Sequence, residues 1–174
     1  KLTIPDGVKA VEDNAFRGCF CLKSMILPYG LESIGNDAFR GCSSLESIAI
    51  PASVKTIGDH AFHYCMNITS ITIPEGITRI GDGMFNDCKD LKYITIPDSV
   101  DSIGNYAFFN CKKLKNITLP DGVKIIGIRA FCNCSVLEDV IIPNGVKIIG
   151  INAFGGCKNF KNIRIRKCLY SKIF

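Results

Sequence analysis

The stretch LESIAIPASVKTIGDHAFHYC, residues 45–65, carries the pattern that decides the fold. Its first part alternates through Ile48, Ala49 and Ile50, which is the period of a β-strand with one buried face. Pro51 follows directly, and proline is tolerated at a strand end because it has no N–H to donate to the ladder. The chain around residues 48–50 is therefore predicted to be a strand that ends at Pro51.

The second part of the stretch indicates a return path on the other side of the unit. Val54 and Ile57 predict a short second strand that faces inward, and Gly58 permits a sharp corner after it. An Ala, a Phe and a Cys then follow within residues 61–65 at spacings of three and four, as on one face of a helix. This spacing predicts a helical turn that faces the core.

The same pattern recurs every 23 residues along the chain. All seven prolines keep this interval, and so do seven of the eleven phenylalanines and seven of the ten cysteines. The in-phase residues are Pro5, Pro28, Pro51, Pro74, Pro97, Pro120 and Pro143; Phe16, Phe39, Phe62, Phe85, Phe108, Phe131 and Phe154; and Cys19, Cys42, Cys65, Cys88, Cys111, Cys134 and Cys157. A fixed period in this range with Leu or Ile at set offsets is typical of leucine-rich repeats.

A single unit cannot bury its own apolar face, so stacked units are expected to share one continuous core. The repeat predicts a β-rich, right-handed parallel solenoid with a concave parallel sheet, and with short second strands and helical turns on the other side. We expect one domain over residues 1–174, about seven and a half units, within a longer array, because residues 2–5 are half a unit with no polar cap. Residues 166–174 are predicted to be a degenerate repeat or a partial C-terminal cap, since Arg166 stands where an eighth proline would be.

The repeat resembles the BspA-type leucine-rich repeat family, also called the Treponema pallidum-type class. The family unit reads roughly L-x-x-I-x-I-P-x-x-V-x-x-I-G-x-x-A-F-x-x-C, and the resemblance runs from Leu2 to Ile165. Departures from it are few, and they include Glu12 in place of the Gly, Met84 in place of the Ala and Phe160 in place of the Leu. The resemblance implies a cell-surface or secreted protein that acts in adhesion or host contact; a cytoplasmic location is the alternative.

The cysteines are interpreted as reduced, structural thiols. In-phase cysteines on neighbouring units point the same way, whereas a disulfide needs Cβ atoms about 3.8 Å apart that face each other. Each buried S–H can instead meet a backbone carbonyl. The pairs Cys19/Cys21 and Cys132/Cys134 are C-x-C pairs and lack the C-x2-C spacing of zinc sites.

No pattern of catalytic residues is present. His60 and His63 are the only histidines, and they occupy variable repeat positions, which favours surface residues. They leave no Ser/His/Asp or Cys/His set, and the sequence has neither a G-x-G-x-x-G motif nor a P-loop. The sequence therefore predicts a protein that is not an enzyme, with no catalytic residues, no metal and no cofactor.

Charge is distributed unevenly along the chain. Residues 1–110 hold nine basic and thirteen acidic groups, whereas residues 111–174 hold twelve basic and three acidic ones. Such asymmetry indicates either attraction to an acidic partner or a lysine-rich surface that serves only solubility. Nucleic acid is not expected because no aromatic residues interleave with the lysines. Membrane insertion is not expected because the chain lacks an apolar run of about 18 residues.

The predicted partner-binding face is the concave side of the main strands, which solenoids usually use for recognition. The outward residues include a uniform ladder of Thr72, Thr95 and Thr118, whereas the other outward position becomes varied from Tyr93 onward. The predicted partner-binding residues are Tyr93, Asn116, Asp139, Asn162 and Arg164.

A second contact patch is predicted where two outward positions change from polar to apolar in the last units. Its residues are Ile125, Ile128, Ile148 and Ile151, with Lys124, Arg129 and Lys147 around them. An exposed patch of this kind often marks a protein contact. The alternatives are that the C-terminal residues Leu169, Ile173 or Phe174 cover it, or that it is simply exposed.

Together these features favour a non-catalytic module that binds a protein or an acidic glycan, and that also contacts neighbouring repeats or a domain of its own chain. The alternatives are a structural spacer and an intracellular scaffold without a ligand of its own. A varied concave face favours the binding module, and a uniform one favours the spacer.

Overall fold

Two ladders of short strands run along the molecule in the computed structural model, which describes residues 1–165. The predicted cap at residues 166–174 lies outside the described residues. The first ladder contains β1 (Leu2–Thr3), β3 (Ser24–Ile26), β5 (Ser47–Ile48), β7 (Ser70–Thr72), β9 (Tyr93–Thr95), β11 (Asn116–Thr118), β13 (Asp139–Ile142) and β15 (Asn162–Ile165). The second contains β2 (Ala10–Val11), β4 (Ser33–Ile34), β6 (Thr56–Ile57), β8 (Arg79–Ile80), β10 (Ser102–Ile103), β12 (Ile125–Ile126) and β14 (Ile148–Ile149).

Strand pairing follows the repeat. Every strand pair in residues 1–165 is parallel, and partners are 23 residues apart, as in Ile71 opposite Ile94 and Ser102 opposite Ile125. Along β7 and β11 the central isoleucine is buried and its neighbours are exposed, which confirms the predicted alternation. The parallel solenoid of 23-residue units is therefore confirmed.

The predicted helical turns are absent from the described part of the chain, where linked β-turns occupy the third side of each unit. His60 and Tyr64 have φ angles of 57° and 59°, in the left-handed region that a right-handed helix excludes. Alternate amides donate to the next unit: the N–H of Phe62 bonds to the carbonyl of Met84 at 3.1 Å, while the N–H of His63 closes a turn on His60. These residues thus form a third set of contacts between units.

The seven in-phase phenylalanines form one stacked column through the core. Adjacent ring centroids lie 5.1–5.7 Å apart with interplanar angles of 4–17°. The five central rings have no exposed surface, and Phe16 and Phe154 at the ends are partly buried. This confirms that the in-phase phenylalanines face the core, and the stacking accounts for their fixed phase.

The in-phase cysteines form a second column beside the rings. From Cys42 to Cys157, each Sγ–H donates to the carbonyl oxygen of the phenylalanine 26 residues earlier, at 3.1–3.2 Å. The five central thiols are fully buried, whereas Cys157 is half-buried and Cys19 is exposed. The interpretation of the in-phase cysteines as buried thiols is therefore wrong for the two at the ends of the column. Burial, together with the neighbouring Cys19, raises the pKa of Cys42 to about 11.

Native-state alkylation should therefore separate the cysteines by position. Iodoacetamide reacts with the thiolate, so Cys19 and Cys21, which are exposed, should be modified within minutes. Cys65, Cys88 and Cys111 should stay unmodified until the chain is unfolded, because burial raises their pKa. Peptide mass spectrometry measures both. Recovery of Cys65 joined to Cys88 as a disulfide would contradict this arrangement.

The recurrent glycine has a different role from the one the sequence predicted. Gly58 and Gly127 do not have a positive φ, so their backbone does not need glycine for conformational freedom. A Cβ at Gly127 would instead lie 2.6 Å from the backbone nitrogen of Asn105. The glycine is required because a Cβ would overlap the main chain of the preceding unit there.

Candidate binding surface

The predicted partner-binding residues all lie on strands of the first ladder. Tyr93, Asn116 and Asp139 are exposed, and β11, β13 and β15 set Asn116, Asp139 and Asn162 side by side. Arg164 pairs with Ile141, two residues further along the same strands. Four predicted residues therefore occupy one repeat position, and Arg164 lies beside them.

The same position differs between the two halves of the ladder. It is serine in β3, β5 and β7, and then becomes the tyrosine, asparagine and aspartate of β9, β11 and β13. Tyr93 has 72% of its surface exposed, so little holds its ring in place apart from its own strand. At this repeat position the variation is thus confined to the later strands, from β9 onward.

A cleft of about 420 Å³ opens in this region between β9 and β11. Residues from three successive units line it: Lys92, Tyr93, Lys113, Lys115, Asn116 and Val136. β9 and β11 are neighbours but belong to separate hydrogen-bonded sheets, so the ladder is interrupted there. Sequence reasoning identified Tyr93 and Asn116 but missed the lysines and Val136.

Two of the three lysines of the cleft form solvent-accessible ion pairs. Lys113 Nζ is 2.9 Å from Asp90, and Lys115 Nζ is 3.5 Å from Glu138. Both lysine side chains are more than half exposed, and exposed pairs of this type contribute little to stability. The ammonium groups can therefore exchange their present partners for another anion.

The predicted isoleucine patch lies on the last strands of the second ladder and on the turns that follow them. Ile125 pairs with Ile148, and Ile125, Ile128, Ile148 and Ile151 have 41%, 42%, 55% and 73% of their surface exposed. Ile149, which the sequence places in the core, is also 52% exposed, because no later second-ladder strand covers it within residues 1–165. Leu169, Ile173 and Phe174, which the sequence suggests as an alternative cover for the patch, lie outside the described residues.

The patch begins where a ladder of side-chain oxygens ends. The same repeat position in five successive units carries an Asp or Asn whose Oδ1 accepts a hydrogen bond from the backbone N–H of the residue 23 further on, at 2.6–2.8 Å. These residues are Asp13, Asn36, Asp59, Asp82 and Asn105. Ile128 receives the last of these bonds and has no oxygen to continue them. The sequence signal for this ladder is the repeated Asp or Asn directly after the glycine.

The two histidines are not both surface residues, as the sequence suggested. His63 is 8% exposed and stacks on Tyr64, with ring centroids 4.4 Å apart. Burial, followed by the positive charges of Arg40 and His60, lowers the pKa of His63 to about 4, so it is neutral at pH 7. Within residues 1–165, no group of three or more His, Cys, Asp or Glu side chains is arranged to hold a metal ion.

No helix in the described part of the chain has the length and apolar character to cross a bilayer.

The model of the BspA-type leucine-rich repeat region matches residues 1–115 and 78–173, with six copies. No curated protein matches the chain.

Solved structures that are similar to this chain include the following three. A leucine-rich repeat protein from T. pallidum is 33% identical with a TM-score of 0.83, over 91% of this chain and 76% of that one. A leucine-rich repeat protein from Eubacterium ventriosum is 28% identical with a TM-score of 0.81, over 90% of this chain but only 42% of its own length. A leucine-rich cell surface protein from Faecalibacterium prausnitzii is 25% identical with a TM-score of 0.50, over 94% and 69% of the two chains.

Proposed function

Because the chain belongs to the BspA-type leucine-rich repeat family, we propose that it is a non-catalytic recognition module that binds a partner on the exposed face of its first ladder. The observation that carries this proposal is the cleft at Tyr93 and Asn116, the point where a uniform serine row becomes varied. Asp139, Asn162 and Arg164 extend the surface along β13 and β15. A spacer would need no such local variation.

We further propose that recognition occurs at a cell surface, in adhesion or host contact. One support is the similar F. prausnitzii structure, which is that of a cell surface protein. Another is the basic C-terminal part of the chain, residues 111–174, because cell surfaces carry acidic groups that attract such a charge. The intracellular scaffold is the alternative, and it predicts no affinity for cells.

Replacing Tyr93 by Ala should reduce binding of the fluorescently labelled protein to cultured epithelial cells by about tenfold, because the largest exposed side chain of the face is lost. Flow cytometry over a concentration series measures the apparent affinity. Tyr29→Ala is the matched control, since Tyr29 is 93% exposed but lies away from the cleft. Equal binding by both variants and the parent would contradict the proposed surface, and no binding by the parent would contradict adhesion.

We propose that the isoleucine patch is a second contact surface, and that its occupant is a second copy of this chain. Two patches packed face to face would each bury on the order of a few hundred Å², well below the roughly 800 Å² per partner of a stable interface. Association should therefore be weak and depend on concentration. The like charges of Lys124 and Lys147 beside the patch would repel the second copy, most strongly at low salt, so the pairing is expected to be weak.

The double substitution Ile128→Asp with Ile151→Asp should abolish this association, because it would bury charge against apolar surface. Sedimentation velocity of the parent should give a coefficient that rises with protein concentration, and the variant should give a constant one. The control is Ile26→Asp, since Ile26 is 44% exposed on the first ladder. A parent that stays monomeric at millimolar concentration would rule out self-association.

A further inference from the structure

Three clefts coincide with interruptions of the strand ladders, and their linings differ in chemistry. The cleft between β5 and β7 is lined by serine, threonine, alanine and isoleucine residues. The cleft between β6 and β8 is lined by isoleucine and threonine side chains together with Lys55 and Arg79. The cleft between β9 and β11 has three lysines around an exposed aromatic ring. No carboxylate lines the β9–β11 cleft. Asp90 and Glu138 form ion pairs with Lys113 and Lys115 but lie outside its lining.

The lining of the β9–β11 cleft offers three kinds of contact in one place. The Tyr93 ring and Val136 provide an apolar surface, and an aromatic ring can stack against a flat C–H face. The Asn116 amide can both donate and accept hydrogen bonds. The ammonium groups of Lys92, Lys113 and Lys115 favour an anion, and Lys92 forms no ion pair within residues 1–165.

We propose that this cleft binds an anionic sugar residue of an acidic glycan, with the ring stacked on Tyr93, a hydroxyl bonded to Asn116 and the carboxylate or sulfate held by the lysines. This inference rests on the proposed function and names the ligand class for its site. The volume of about 420 Å³ lies within the range of small-ligand sites and accommodates one sugar ring with its substituents.

An anionic sugar fits this lining better than an acidic peptide does. A pyranose ring holds its anion, its hydroxyls and its flat C–H face in one rigid unit, so all three contacts form together. A glutamate or aspartate side chain has an anion but no flat apolar face beside it, and it loses rotamer freedom when it is ordered. The positive charge of residues 111–174 adds attraction for a polyanion over a longer range.

Isothermal titration calorimetry of the purified chain at low salt tests the proposal with four probes. A heparin tetrasaccharide carries sulfates and carboxylates, and a hyaluronan tetrasaccharide carries carboxylates only, so the two distinguish the anion that is preferred. Maltotetraose is a neutral saccharide of equal length, and tetraglutamate is an acidic peptide. We expect binding of at least one acidic tetrasaccharide and at least tenfold weaker binding of maltotetraose and tetraglutamate.

Substitutions locate the site. Tyr93→Ala should weaken binding of the acidic tetrasaccharide about tenfold and Lys92→Ala about fivefold. The matched controls are Tyr29→Ala and Lys23→Ala; Lys23 occupies the same repeat position as Lys92 in an earlier unit. Both controls should bind as the parent does. Circular dichroism melts of the variants should match the parent, because Tyr93 and Lys92 are exposed.

Several results would overturn the proposal. Binding that is insensitive to Tyr93→Ala would indicate diffuse attraction by lysines, and tetraglutamate binding as strong as that of the saccharides would indicate a peptide site. Failure of every saccharide to bind would also reject it. If cell binding remained sensitive to Tyr93→Ala in that case, the proposed recognition surface would still be supported and only the glycan as its ligand would be rejected.

Discussion

Replacing Phe85 by Ala should lower the free energy of unfolding by about 3–5 kcal/mol, the usual cost of truncating a buried phenylalanine. The Phe85 ring has no exposed surface and stacks between those of Phe62 and Phe108, with centroids 5.7 and 5.4 Å away. Its removal would leave a cavity in the middle of the column and break two stacking contacts. Each unit of a solenoid is stabilised mainly by its neighbours, so the defect would weaken coupling between the two halves of the array.

Urea unfolding followed by circular dichroism measures this loss. Phe20→Ala is the matched control, because Phe20 has 66% of its surface exposed and stands outside the column. The control should change the free energy of unfolding by less than about 0.5 kcal/mol, as exposed substitutions usually do. A similar midpoint for the two variants would show that the phenylalanine column does not hold the units together.

Replacing Gly127 by Ala should cost about 3 kcal/mol, at the upper end of the usual penalty for overpacking. The added Cβ would lie 2.6 Å from both the backbone nitrogen of Asn105 and the carbonyl carbon of Gly104. Both atoms belong to the main chain of the preceding unit, so no side chain can move aside. The two units would have to separate locally, which would strain the adjoining hydrogen bond from Gly127 N–H to the Ile103 carbonyl, now 2.8 Å.

Gly122→Ala provides the control for the glycine prediction. A Cβ at Gly122 would come no closer than 3.4 Å to its neighbours, and neither glycine has a positive φ, so the substitutions differ only in available space. Thermal melts should place Gly127→Ala well below the parent and Gly122→Ala near it. Equal melting temperatures for the two variants would contradict the close approach of the units.

The strands could be predicted from sequence because their signal is direct. Inward and outward residues alternate along each strand, Pro51 and its equivalents mark the strand ends, and the 23-residue phase brings like residues together. The turns could not be distinguished from a helix, since Ala61, Phe62 and Cys65 have the same spacing in both. A further signal was present, because Asn, Asp and Gly recur at the two positive-φ positions of the turns, as in Asn14 and Gly18.

Less of the candidate site could be predicted. Tyr93 and Asn116 lie on strands whose exposed side follows from the alternation, and the structure brings them together at one cleft. Lys113 and Val136 precede the strands in their units, where the sequence has no period from which the direction of a side chain could be predicted. The interruption between β9 and β11 depends on how the backbones of two units meet, which a repeat pattern does not encode.

The most direct test of the recognition surface is the map of backbone amide chemical shifts when the 15N-labelled chain is titrated with the heparin tetrasaccharide. If the β9–β11 cleft is the recognition site, the largest changes will lie at residues 92–95 and 113–118, with small changes at β3 and β5. Saturable changes centred on Lys124 and Lys147 of the second-ladder side, with residues 92–95 unaffected, would contradict the account.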